Sequence, residues 1–251
     1  MGHRFAELAF TPTVRAIQET HGSRKSYARM ELGEAFNDAL TQREAEFISQ
    51  RDSLYMASVS ETGWPYVQHR GGPTGFIKVI DSKTIGFADY RGNRQYVSVG
   101  NLSGDDRIAM ILVDYPSRSR LKLLGHARLV SPEQAELLGS LQTPGYRAKA
   151  ERGFLVRIAA FDWNCPQHIT PRFTESQIAT ATAPLHARIE ALEKELAEGR
   201  ASRSDPPTAV RAPSAHREAS SRTTSGLPAS CVSACAVVVP GVESGPASNS
   251  P

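Results

Sequence analysis

The residues of this sequence best suited to chemistry are cations spaced along short extended segments. In Trp64-Pro65-Tyr66-Val67-Gln68-His69-Arg70-Gly71-Gly72-Pro73 the side chains alternate. On a strand, Tyr66, Gln68 and Arg70 share one face, and Val67 and His69 share the other. Gly71-Gly72 would let another group approach the backbone closely. The same residues also fit a strand with a solvated face and a loose turn. In Phe87-Ala88-Asp89-Tyr90-Arg91-Gly92-Asn93-Arg94-Gln95, a strand ends, a glycine turns the chain, and a helix is expected to begin with Asn93 and Arg94. A helix start offers free N–H groups and partial positive charge, and Arg91 and Arg94 add full charges with bidentate geometry. Arg70 and Lys78, from the preceding hairpins, are expected to converge on the same place. Together they would make a phosphate seat, whereas alone the segment reads equally as an ordinary capped helix with surface arginines.

Two further segments carry reactive or charged types. Ser117-Arg118-Ser119-Arg120-Leu121-Lys122 sets basic residues at the entrance to a strand. They would reach a phosphate or an acidic ring edge, or simply protect an edge strand from aggregation. In Trp163-Asn164-Cys165-Pro166-Gln167-His168-Ile169, Cys165 and His168 are spaced as a nucleophile–base pair or as two metal ligands. No second Cys or His pair completes a zinc set within the domain, so no metal site is expected. A rigid proline-containing exit from a strand, with a buried Cys, fits the same residues.

The elements that must position these groups are readable from turn and cap signals. Thr11-Pro12 starts a helix that ends near His21-Gly22, and Thr41 with Glu44 forms a capping box on a helix to Gln50. Strands are expected at 54–59 and 64–70, joined by Ser60-Glu61-Thr62-Gly63, and at 76–80 and 84–88, joined by Asp81-Ser82-Lys83. A helix over 93–102 follows, then strands over 107–114 and 120–130, with Gly125 at a bend or bulge. A helix from Ser131 to Leu141 and a strand over 153–161 complete the middle. This order predicts a small closed barrel with helical insertions. Beyond it, Ile178, Leu185, Ile189, Leu192 and Leu196 recur at spacings of seven, four, three and four. That is an apolar seam on a helix, read either as packing on its own domain or as a dimer contact.

Composition sets the outer limits. The chain has 251 residues, 40% of them hydrophobic and 22% charged, with 29 basic and 26 acidic residues giving +3. That balance is too weak to imply nucleic-acid or membrane binding by field alone, and no apolar run approaches the roughly 20 residues of a membrane span. No secretory leader is visible in MGHRFAELAF, and the three cysteines, Cys165, Cys231 and Cys235, make no disulfide framework. A cytoplasmic location is therefore expected. From Ala201 the sequence falls to Ser, Ala, Pro, Arg, Gly and Thr, which predicts a disordered tail over 201–251.

PYVQHRGGPTGFIKVID, then GFADYRGNRQY, then RLKLLGHARLV, resembles the pyridoxamine 5′-phosphate oxidase-like family of FMN-binding split β-barrels, over about residues 45–165. The resemblance implies a mainly β (α+β) fold with a split β-barrel over 41–175, to which the cap, seam and composition signals add a helical extension over 1–40, a short helix over 176–200 and the tail. It implies FMN as cofactor, with Arg70 and Lys78 on its phosphate or ring, Asn93-Arg94-Gln95 at the phosphate, and Tyr66, Val67 and Gln68 along the isoalloxazine. Arg120 stands where the family usually has a flavin-contacting Gln, and either Arg120 or Arg118 would sit near the N1–C2=O edge. The resemblance further implies a homodimer with the flavin at the interface and a small-molecule substrate. His168 and Tyr66 are the candidates for proton chemistry, and Trp163 and His168 for covering the flavin from the other subunit. No segment matches the Arg-Leu-x-Pro ending of the vitamin B6 oxidases, Pro171-Arg172-Phe173 being the nearest, which points to a related oxidoreductase. Within the same fold, a deazaflavin or haem is the alternative to FMN, and a non-catalytic flavin-binding or redox-sensing module is the alternative to an enzyme.

Overall fold

The computed structural model describes residues 2–163 and 166–201. The chain divides into two units, Met1–Glu190 and Ala191–Pro251. Of the expected tail only Ala201 is described; residues 202–251, with Cys231 and Cys235, lie outside the described residues, as does Cys165.

Seven strands carry the first unit: β1 (Ser53–Val59), β2 (Pro65–Gly71), β3 (Lys78–Asp81), β4 (Thr84–Tyr90), β5 (Arg107–Asp114), β6 (Ser119–Val130) and β7 (Ala150–Trp163). All pairs are antiparallel, in the order β2-β1-β5-β6-β7-β4-β3. The sheet curls around one core but is not hydrogen-bonded shut, because β2 and β3 are both edges. The closed barrel expected from strand spacing is therefore corrected to a split one, an α+β fold with flanking helices.

Alternation explains the core. Leu54 and Met56 of β1, Met110 and Leu112 of β5, and Leu121 and Leu123 of β6 all point inward and are buried. Phe87 of β4 stacks on Phe154 of β7, with ring centroids 5.2 Å apart and planes 14° from parallel. Each such buried side chain stabilises the fold by about 1.5–3 kcal/mol. The strand β7 is buried on both faces through Phe154-Leu155-Val156. Its outer side is covered near one end by α6 (Ala135–Leu141), through Leu138 and Leu141. The expected start of that helix at Ser131 is corrected, since residues 131–134 form a turn before it.

Gly125 marks a shift in the β6–β7 register: Leu124 pairs with Ala160 and Gly125 with Ile158, leaving Ala159 as the extra residue of a bulge. A Cβ at Gly125 would lie 2.6 Å from the Arg157 carbonyl oxygen, so only glycine lets the strands approach this closely.

The N-terminal helices α1 (Arg4–Ala9), α2 (Pro12–Thr20) and α3 (Arg24–Ala28), with a 3₁₀ turn at Arg29–Glu31, precede α4 (Gln42–Ser49). Thr11 caps α2 by accepting from the Val14 amide, and Thr41 and Glu44 form the capping box of α4. Glu44 also accepts a hydrogen bond from Trp163 Nε1 at 2.7 Å, while Phe47 meets the Trp163 ring edge-on and Arg43 lies over it. Trp163 therefore fastens α4 to the end of β7. Burial alone would raise the Glu44 carboxyl, but the bonds from Thr41 and Trp163 bring it below its ordinary value.

The helix α5 (Val97–Gly104) fills the link between β4 and β5, and the long helix α7 (Glu175–Ala201) ends the described chain. Ile178, Leu185 and Ile189 are exposed, so packing of their seam on this domain is excluded. Of the second unit, only Ala191–Ala201 is described, with Leu192 and Leu196 exposed and Lys194 4.0 Å from Glu198. No helix among the described residues is long and apolar enough to cross a membrane.

Replacing Trp163 by Phe removes a donor from a buried carboxylate and should cost about 2 kcal/mol in urea unfolding at neutral pH. Because the Glu44 pKa is depressed by folding, its contribution is complete above the usual glutamate range and is lost as pH falls through the lowered value. The gap between wild type and Trp163→Phe should therefore narrow in acid.

Candidate functional site

Where the sheet splits, an ion pair spans the gap. Arg70, on the edge strand β2, donates to the Asp89 carboxylate on β4 through Nη1. Both side chains are largely buried, with 8% and 17% of their surface exposed. The Arg70 guanidinium also lies 4.3 Å over the Phe154 ring, so the hydrophobic core forms its floor. Burial pushes the Arg70 pKa down, and the Asp89 carboxylate opposes it. A second Arg70 nitrogen donates to Gln68 Oε1 at 3.3 Å, and Ser98 Oγ of α5 donates to the same oxygen at 3.0 Å. Asn101 of α5 donates to Ser58 Oγ of β1 at 2.9 Å. The short helix is thus held against the β1–β2 side of the split by polar bonds to both strands.

Above this pair opens a cleft of about 240 Å³ lined by Gln68, Arg70, Asp89, Tyr90, Arg94, Tyr96 and Glu151, among others. Its rim is a chain of alternating charges. Arg94 Nε donates to Tyr96 Oη at 3.1 Å, and Tyr96 donates to Glu151 at 3.3 Å. Arg91 lies 3.6 Å and Arg152 3.1 Å from Glu151, and Arg152 is 3.7 Å from Asp89. Arg152 also sits 4.7 Å over the Tyr96 ring. Four guanidiniums surround two carboxylates, so two positive charges remain. Arg70 Nε and Tyr90 Oη are buried without a partner among the described residues.

The expected helix start at Asn93 is corrected by local geometry. The helix begins at Val97, and Asn93 instead accepts the Gln95 amide on its own side chain at 3.2 Å. That bond satisfies the backbone in a turn and competes with helix. Arg94 and Tyr96 then take left-handed backbone angles, with φ 62° and 55°. The arginine side chain reaches the cleft from a loop, and the seat is built of side chains rather than helix N–H groups.

Gln68, Arg70, Asn93 and Arg94 meet in the cleft, and Tyr66 lies on the same strand face. Gln95 is exposed beside them, and Val67 is 61% exposed on the opposite face. Lys78 does not converge there: its ammonium donates to the Gly75 carbonyl at 2.8 Å and lines a shallow hollow beside α4. Arg120 sits among the outward residues of β6, paired with Val113, and Arg118 is exposed in the β5–β6 turn with φ 56°. His168 is exposed, with φ 63°. The close approach expected at Gly71-Gly72 is to the protein's own residues, since a Cβ on Gly72 would lie 2.8 Å from Phe76.

Asp89, Tyr96, Glu151 and Arg152 are site residues that the spacing of cations did not single out. Glu151 is 55 residues from Tyr96, and only the β4–β7 pairing, which sets Asp89 against Arg152, brings it to the cleft.

The family model described as pyridoxamine 5′-phosphate oxidase matches residues 40–156. That match takes in strands β1 to β6 and the first half of β7. No curated protein matches the chain. Among solved structures, an FMN-binding protein from Syntrophomonas wolfei subsp. wolfei is 12% identical over 59% of this chain and 97% of its own, with a TM-score of 0.36. A protein from Clostridium acetobutylicum, related to general stress protein 26 of B. subtilis and of the pyridoxinephosphate oxidase family, is 14% identical over 54% and 94%, with a TM-score of 0.37. A protein named F420 reductase is 19% identical over 49% and 98%, with a TM-score of 0.36.

The Arg70→Met variant leaves the buried Asp89 carboxylate with only the more distant Arg152. It should lose about 3 kcal/mol of stability in urea unfolding. Adding Asp89→Asn should recover a large part of that loss, because the uncompensated charge is then gone.

Proposed function

We propose that the cleft holds the phosphate end of FMN and that the protein is a homodimeric flavoprotein, an oxidoreductase acting on a small molecule. The observation that carries this reading is a cleft whose central arginine has a buried Nε without a partner among the described residues, with Arg91 and Arg152 behind its carboxylates adding two positive charges. A phosphate monoester brings nearly two negative charges and three acceptor oxygens. Arginines answer both demands, with charge and with paired N–H donors. Arg94 and Arg91 would hold the phosphate from the loop, and Arg70 from below. Gln68, Ser98 and Tyr96 would accept or donate along the polyol. The bound isoalloxazine would supply the hydride or electron chemistry.

The size of the cleft supports a second copy. About 240 Å³ lies below the roughly 300–1,000 Å³ of small-molecule sites. It suits the phosphate and polyol and leaves the ring outside the cleft of a single chain. The outward face of β2, β1 and β5 offers an apolar cover, for Val67, Tyr55, Val59 and Ile111 are all exposed there. Arg118 and Arg120, at or near the β5–β6 turn, would then serve the flavin edge of the partner's site rather than their own. A deazaflavin keeps the same phosphate demand, so the absorption spectrum distinguishes the cofactors.

The purified protein should show flavin absorption bands, with FMN as the mass of the released ligand. Arg94→Gln should weaken FMN binding about tenfold or more, as expected for a lost charge-assisted bond. A protein that takes up no FMN, or an Arg94→Gln variant that binds it as wild type does, would refute the reading. Separately, Val67→Asp combined with Ile111→Asp should convert a sedimenting dimer to monomer and lower flavin retention with it.

A further inference from the structure

A second cavity lies at the other end of β4 and β7, beside the Gly125 bulge. Its volume is about 510 Å³, within the range of small-molecule sites. Leu124 and Ala159 of the sheet and Leu8 of α1 give it apolar walls, and Arg4, Lys83, Arg107, His126 and Arg157 surround these with cationic types. An adjoining hollow shares His126 and Arg157 and adds Arg128. The two carboxylates among the lining residues, Asp38 and Asp106, are already engaged, by Lys83 at 2.9 Å and by His126 Nδ1 at 2.8 Å. Arg4 is tied to Glu7 at 2.6 Å, and Arg107 to Asp105 at 2.8 Å through Nε. Arg157 differs. Its side chain has no carboxylate and no hydrogen-bond partner among the described residues, and the same is true of Arg128 next to it.

The placement of Arg157 follows from the sheet. It pairs with His126 on β6 and Thr84 on β4 and is exposed on the outer face, while Phe154 and Val156 fill the core. The bulge at Ala159 breaks the ladder immediately beyond it, which opens the wall between β6 and β7. An apolar-walled pocket with one guanidinium unneutralised among the described residues, and a second in the adjoining hollow, suits a ligand with an apolar body and one anionic end.

We infer that this cavity is a binding site for a small amphipathic anion, a carboxylate or phosphate monoester on a hydrophobic body, anchored by Arg157 and independent of the flavin cleft. Its apolar part would contact Leu8, Leu124 and Ala159, and its anion would take the paired donors of Arg157, with Arg128 in reach of the rim. This does not rest on the proposed flavin site, since the two cavities share no lining residue.

Calorimetric titration of the full-length protein with phenyl phosphate and with benzoate, against neutral benzyl alcohol, tests it. At least one anion should bind saturably and more tightly than the alcohol. Arg157→Gln should weaken that binding about tenfold or more, and Arg94→Gln should leave it unchanged. Arg157 is an exposed sheet residue, so its replacement should keep the unfolding midpoint near wild type, which separates lost binding from lost structure. Binding of neither anion above the alcohol would overturn the inference. So would binding that survives Arg157→Gln, or binding that is lost instead in Arg94→Gln, which would assign it to the other cleft.

Discussion

The fold depends on how an unclosed sheet seals its own gap. Seven antiparallel strands curl round a core of leucine, isoleucine, methionine and phenylalanine, yet β2 and β3 never pair. At such an opening, backbone groups and core side chains would meet water. The molecule answers with a charge pair, Arg70 to Asp89, laid over Phe154 and flanked by Gln68 and Ser98. Its cost is the removal of two ions from water, which is repaid only if the remaining donors and acceptors find partners. One donor, Arg70 Nε, finds none among the described residues. The seal is therefore also an unfilled valence, and the binding chemistry grows from it.

The charges at the rim follow the same logic. Asp89 and Glu151 do not cancel the arginines around them; they hold them in place. Glu151 takes Arg91, Arg152 and Tyr96, and Tyr96 in turn takes Arg94. Fixed guanidiniums lose less entropy on meeting an anion than free ones, and the two unmatched charges favour a dianion over a neutral ligand. The second cavity, near the bulge, uses a looser version of this device, in which no carboxylate among the described residues holds Arg157.

Local signals made much of this legible in the sequence. The capping box at Thr41 and Glu44, the two hairpins and the shared face of Gln68 and Arg70 depend on residues within a few positions of one another. The misplaced pieces depend on something else. Asn93 is a good helix-start residue by type, but its side chain is consumed by an Asx turn, so the helix begins later and Arg94 approaches from a left-handed loop. Lys78 has the right charge in the right hairpin, yet its ammonium is bound by the Gly75 carbonyl. Glu151 and Arg152 belong to the cleft only through the β4–β7 register, which no short window contains. The helix α1 has no side-chain cap to mark its start, and distant contacts fix it, such as the His3 amide to the Met30 carbonyl and Asn37 to the His3 ring.

The most direct test of the central claim is a crystal structure of the protein grown with FMN. The account predicts the phosphate between Arg94 and Arg70, with Arg70 Nε or its neighbouring N–H groups donating to it and the Arg70–Asp89 pair intact. FMN found elsewhere on the molecule, or a cleft closed by Glu151 with no phosphate in it, would contradict the account.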